Sequence, residues 1–161
     1  MFKLILMQIK NITIILIIIL LGTGCNNQKE KQNFSIEKDQ KSVMAILKIL
    51  DNHTISTEDK MKVWVDDLVH MAPNQPLITD KMALIAHIDK EKEFGFADMK
   101  HEITEIHSYQ EIVVMQGKVT GTFYPANTET SNTFSTKNLF VFRRIKNDSL
   151  KIWKVIFNMT S

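Results

Sequence analysis

Glu111 to Tyr124 reads E-I-V-V-M-Q-G-K-V-T-G-T-F-Y, and the reading of this stretch decides the fold. Val113, Met115, Gly117, Val119, Gly121 and Phe123 are apolar or glycine, and Gln116, Lys118, Thr120 and Thr122 stand between them. Alternation of period 2 marks a strand with one buried and one wetter face. Its length makes it the central strand of an antiparallel sheet. Gly117 and Gly121 fall on the buried face, where a strand glycine marks a bend, a bulge or the close approach of another group. A sheet bent at such points wraps helices and leaves a pocket.

Toward the C-terminus, the polar stretch Pro125 to Ser135 reads as a loop, followed by a strand over Asn138 to Ile145. Asn147-Asp148-Ser149 reads as a turn into a closing strand, Leu150 to Met159. Toward the N-terminus, Lys100 to Tyr109 is a strand of poor alternation, and before Gly95 the pattern turns helical. Ser35 caps a helix from Ile36 to about Leu50, with Ile36, Val43, Leu47 and Leu50 at helical spacing. Ser56-x-x-Asp59 resembles a capping box, and Met61, Trp64, Val65 and Leu68 predict a short second helix. Leu68 to Ala72 reads as a strand ended by the prolines at 73 and 76, and Thr79-Asp80 opens a third helix that stops at Gly95. Helices first and a meander after give an α+β fold, a curved antiparallel sheet wrapped around N-terminal helices.

The chain of 161 residues suggests one folded domain, residues 35–161. Residues 1–24 read as a signal peptide: Lys3 and Lys10 precede the apolar run Ile12 to Leu21, which is too short to span a bilayer. Gly22-Thr23-Gly24 and Cys25 follow. This resembles the lipobox of bacterial lipoproteins, with Gly22 where the pattern prefers leucine. The resemblance implies that Cys25 carries lipid (palmitate among its acyl groups) and tethers the protein to a membrane of the bacterial envelope. Cleavage by ordinary signal peptidase is the alternative. Residues 25–34 then form the lipidated N-terminus and a polar tether. Without the leader, Lys plus Arg falls from 20 to 18, against 18 Asp plus Glu. A neutral mature chain argues against a nucleic-acid partner. The single cysteine excludes an internal disulfide.

The order of elements resembles the nuclear transport factor 2-like superfamily, and within it the SnoaL-like proteins, over roughly Ile36 to Met159. Four segments carry the resemblance: the closing strand Leu150 to Asn158, Asp66-Asp67-Leu68-Val69 with Pro73 and Pro76, Gly117, and Phe140-x-Phe142-Arg143-Arg144. It implies a cystatin-like cone, a curved sheet around helices that opens at one end into a pocket. Its members include isomerases, cyclases, dehydratases and many non-catalytic binders, so the fold leaves the function open.

Asp66 and Asp67 are weak candidates for a general base, and at most one of them faces a given pocket if the strand is regular. His70 shares a strand face with Leu68 and Ala72 and is either a titratable pocket group or a hydrogen-bonded structural histidine. His87 reads as a helix-edge histidine. Glu105 and His107 share a strand face with His101, but His101 and His107 lie roughly 20 Å apart unless the strand bulges. No metal site is expected on that basis. Trp64, His70, Met115, Val119, Phe123, Trp153, Val155 and Phe157 are the candidate pocket lining, equally readable as packed core. The absence of a phosphate loop, a dinucleotide fingerprint or a nucleophile triad signature leaves no cofactor to expect. The expectation is an envelope-tethered module that binds a small apolar molecule or a partner without catalysis. The alternative is a cofactor-free isomerase or lyase using Asp67 or His70. Two further expectations concern strands. Asn138 to Ile145 is apolar on both faces and predicts a homodimer through the sheet. Trp153, Val155 and Phe157 are expected to share the buried face of the closing strand.

Overall fold

The computed structural model describes residues 35–160, so the signal peptide, Cys25 and the tether lie outside the described residues. Helix α1 (Ile36–Asp51) begins where Ser35 adopts extended geometry and its Oγ accepts from the Lys38 amide at 3.3 Å. Glu37 and Asp39 complement the dipole of the first turn. The buried positions are Asp39, Val43, Ile46 and Leu47. Ile36, expected to start the apolar stripe, is 49 % exposed, and Asp39 takes its place facing the sheet. A carboxylate is tolerated there because Arg144 meets it with two hydrogen bonds, 2.9 and 2.8 Å.

The expected second helix shrinks to one turn, α2 (Thr57–Lys60), capped by Ser56 Oγ, and a 3-10 turn, Met61–Val63. Trp64 and Val65 then open strand β1 (Trp64–Met71) instead of continuing a helix. Both are buried, which mimics helical spacing in the sequence. Helix α3 (Lys81–Lys92) starts at the Asp80 cap and buries Leu84, with Ile85 and Ile88 beside it. Four strands follow: β2 (Gly95–Ser108), β3 (Ile112–Pro125), β4 (Asn132–Arg144) and β5 (Leu150–Met159).

The strands form one curved, unclosed sheet in the order β1-β5-β4-β3-β2. The β1–β5 pairing is parallel, and the other three are antiparallel. Helices α1 and α3 cover the inner face. The core gathers Val43, Leu68, Leu84, Met115, Phe142 and Ile152, each at most 1 % exposed. Each such side chain contributes roughly 1.5–3 kcal/mol by leaving water. The odd residues of β3 point inward as expected. The two glycines there mark close approaches: a Cβ at Gly117 would lie 2.4 Å from the Glu102 carbonyl, and one at Gly121 would lie 2.7 Å from the Phe134 ring.

Three irregularities decide which side chains face inward. In β1, the six residues from Trp64 to Val69 stand against three of β5, Ile152 to Lys154, and Asp66 and Asp67 within them are exposed. In β2, the register shifts between Ile103 and Glu105, opposite Gly117 and Gln116. In β5, the register shifts beside Val141 and Phe142 and makes Trp153 the extra residue. Each is a bulge, and those of β2 and β5 reverse the alternation beyond them.

Candidate functional site

Besides the Asp39–Arg144 pair, two histidine-centred polar spots stand on the inner face among the described residues, one near each sheet edge. The first is built on β1. His70 is fixed by backbone hydrogen bonds with Ile78 in both directions, 2.8 and 3.2 Å, across the turn that holds Pro73 and Pro76. Its ring lies 6.4 Å from Trp64, 5.7 Å from Phe157 in an edge-on contact and 6.1 Å from His87 of α3. Burial, and secondarily the neighbouring His87, push the His70 pKa down to about 4, so the ring is neutral at physiological pH. Trp64 Nε1 and His70 Nδ1 are buried with no hydrogen-bond partner. Leaving such a group unmet costs roughly 1–3 kcal/mol. His87 Nε2 lies 3.2 Å from the Glu91 carboxylate one turn further on.

The second spot joins α1 to β2. Asp51 is the last residue of α1, and His101 points inward from β2. The His101 amide donates to Asp51 Oδ2 at 3.1 Å, and His101 Nδ1 lies 2.5 Å from Asp51 Oδ1. An ionised carboxylate only accepts, so Nδ1 is the donor in this contact, and in the neutral ring that leaves the lone pair on Nε2. The His101 side chain is 7 % exposed and packs edge-on against Phe140 at 5.6 Å. An imidazole oriented in this way can accept a hydrogen bond or a proton. Nearby, Lys60 Nζ caps the Leu50 carbonyl at 2.7 Å, and burial followed by the charge on Lys92 lowers its pKa.

The remaining candidates are dispersed. Asp67 lies on the outer side, where Arg143 grips both carboxylate oxygens at 2.7 and 2.9 Å and holds its pKa below the usual carboxylate value. Asp66 is likewise exposed, paired with Lys81 at 2.7 Å. Neither faces the inner side, because the β1 bulge ejects both. Trp153 does not share a face with Val155. As the extra residue of β5 it lies with Arg143 and Lys154, each 4.1 Å from the ring. Val155 and Met115 are core residues at 3 % and 1 % exposure, and Val119 is buried beside His101 in register. Phe123 is half-buried far along the β2–β3 hairpin, opposite Ala97. The β2 bulge separates His101 from Glu105 and His107, which are exposed and bonded to each other at 2.7 Å. Of the eight expected lining residues, the structure brings Trp64, His70 and Phe157 together, with Val155 opposite His70 in register.

Two open clefts lie elsewhere. One of about 480 Å³ is lined by residues of the β2–β4 region, including Asp98, Lys100, Thr120 and Thr133. The other, about 200 Å³, is lined by Gln116, Leu139, Ile156 and their neighbours. The Asp51–His101 pair escaped the sequence reading because 50 residues separate its members.

No protein-family model and no curated protein matches the chain. Solved structures do. A ketosteroid isomerase-like protein from Erwinia carotovora atroseptica aligns over 80 % of this chain and 98 % of its own, at 19 % identity and a TM-score of 0.70. An NTF2-like protein with a cystatin-like fold from Novosphingobium aromaticivorans aligns over 78 % and 81 %, at 12 % identity and 0.62. A protein from Catenulispora acidiphila, in complex with S-DNPA, aligns over 76 % and 91 %, at 14 % identity and 0.59. At such identities the likeness shows the fold, which is the nuclear transport factor 2-like, cystatin-like cone.

Proposed function

We propose that this chain is an envelope-tethered binding domain that holds a small apolar or aromatic molecule against the inner face of its sheet without transforming it. The observation that carries the reading is the pair of unpartnered buried atoms, Trp64 Nε1 and His70 Nδ1, set among aromatic rings beside Phe157. Such a combination, apolar walls with a few convergent polar groups, is what ligand sites are built from. The complex of the Catenulispora protein supports the reading by analogy of fold only. Binding of naphthalene, followed by intrinsic fluorescence, tests it. Saturable binding that weakens at least fivefold in Phe157→Ala is expected; no saturation up to the solubility limit refutes it.

The Asp51–His101 pair favours a second reading, a cofactor-free isomerase or lyase in which His101 Nε2 takes a proton from substrate. The two readings part on His101→Gln: a binder keeps its ligand affinity, whereas an enzyme loses turnover with affinity retained.

The tether rests on the leader and on Cys25. Labelled fatty acid should enter the wild-type protein and not Cys25→Ser. Equal labelling of the two, with both released in soluble form, overturns the anchor. A homodimer through the outer face of the sheet belongs to the same proposal. Leu139 and Ile156 face each other there in register, 36 % and 38 % exposed, with Val141 and Val114 in the adjoining row.

A further inference from the structure

We infer that the larger open cleft, on the outer face of β2, β3 and β4, binds a neutral saccharide. The cleft is separate from the inner face, and the inference does not depend on the reading proposed for that face.

Strand register builds the cleft in rows. Val119 and Gly121 of β3 point inward, so Thr120 and Thr122 point outward. Asp98 of β2 and Thr133 of β4 stand opposite Thr122, and Lys100 of β2 stands opposite Thr120. One row further along, Phe96 and Tyr124 are stacked with their centroids 4.8 Å apart, and they are 54 % and 40 % exposed. On the other side, Glu102 and Lys118 stand opposite each other and are joined at 3.1 Å. Short threonines between two rows of long side chains leave a trough, the cleft of about 480 Å³. Three strands make its floor about 10 Å wide. Sites for small molecules span roughly 300–1,000 Å³, so the volume suits one.

The chemistry of the lining selects the ligand. The side chains of Asp98, Lys100, Thr120, Thr122 and Thr133 have no hydrogen-bond or ion-pair partner among the described residues. Asp98 accepts, Lys100 donates, and the hydroxyls do both. An anion is drawn to Lys100 and repelled by Asp98, and a cation meets the reverse. An apolar body strips water from five polar groups and returns no hydrogen bond. A sugar carries no charge and offers donors and acceptors on adjacent carbons, which matches this mixed lining. The C–H face of its ring also packs against the exposed aromatic pair, whose ring faces are electron-rich.

The test titrates maltotriose, cellotriose and triacetylchitotriose into the nitrogen-15-labelled full chain, followed by amide resonances. At least one of them should saturate at millimolar concentration and shift the amides of Asp98, Thr120 and Thr122. Raising the salt should change that affinity by less than about twofold, because the ligand is uncharged. Asp98→Ala and Tyr124→Ala should each weaken binding by at least about fivefold. Their spectra away from the cleft, unchanged from wild type, establish that both are folded. Phe157→Ala, on the inner face, should leave saccharide affinity unchanged, so the failure of one site does not decide the other. No saturation by any of the three, or shifts confined to another part of the chain, overturns the inference. Wild-type affinity in both cleft variants overturns it too. Saturation by β-alanine instead, weakened by salt, makes the cleft a zwitterion site and removes the saccharide.

Discussion

Acid should destabilise this protein through His70 in a way that His70→Phe abolishes. The unfolded imidazole takes up a proton as pH falls past 6.5, whereas the buried ring in the folded state resists until about pH 4. Between those values the unfolded state binds more protons, so stability falls as pH falls. No such contribution exists above pH 6.5, and the loss saturates below about pH 4. At pH 5 the gap of about 1.5 pH units below 6.5 corresponds to roughly 2 kcal/mol. Partial exposure of the ring reduces this to roughly 1–2 kcal/mol. The carboxyls of Asp39, Asp67 and Asp148 lie below their usual value, chiefly through hydrogen bonds from Arg144, Arg143 and Lys38, and so stay ionised in this window. The other histidines are common to both proteins. Urea melts of wild type and His70→Phe at pH 7.5 and 5.0 isolate the term as a double difference. Wild type should lose roughly 1–2 kcal/mol more than the variant. A double difference within about 0.3 kcal/mol would mean that the ring titrates normally and that the buried aromatic nest around it is wrongly described.

Three further outcomes follow from the packing. Val155→Asp buries a carboxyl without a partner at a site 3 % exposed and should cost roughly 2–5 kcal/mol in thermal melts; a loss within about 0.5 kcal/mol would place Val155 at the surface. Asp39→Ala leaves Arg144, 8 % exposed, without its main partner on α1, and denaturant melts should show a loss of roughly 2–4 kcal/mol. The lower end is expected because Arg144 keeps Asp148 and the Tyr109 carbonyl. Light scattering on the domain without its leader should give twice the monomer mass, and Leu139→Asp should halve it; a wild-type monomer at high micromolar concentration refutes the sheet-face dimer.

Regular elements were legible where one face is buried and the other wet. Glu111 to Tyr124 became β3 (Ile112–Pro125), and Leu150 to Met159 became β5 with those ends. Legibility was weaker at the starts of β2, from Gly95, and of β4, from Asn132. They are strands because they pair along β3. Burial alternates along β2 as far as Ile103, and the bulge after it breaks the period across the stretch from Lys100 to Tyr109, while β4 opens on two exposed residues, Asn132 and Thr133. Bulges were invisible for a related reason. A bulge is settled by the partner strand, and a single extra residue carried Trp153 to the outer face and left Val155 and Phe157 inside. The phase change was present in the sequence, since Leu150 and Ile152 alternate out of step with Val155 and Phe157. At the candidate site, His70 was readable from its strand position. Its neighbours are Trp64, across the bulge at the start of the same strand, and His87 of α3, and neither contact follows from a regular period along the sequence.

The two tryptophans offer the most direct test of binding on the inner face. Trp64 stands inside the cone with its indole N–H unpartnered, and Trp153 lies outside under Arg143 and Lys154. Their indole N–H resonances can be followed separately in a nitrogen-15-labelled protein titrated with 1-naphthol. A saturable shift of the Trp64 signal with the Trp153 signal unmoved is the predicted result. A shift of Trp153 alone, or no shift of Trp64 at millimolar 1-naphthol, would contradict the account.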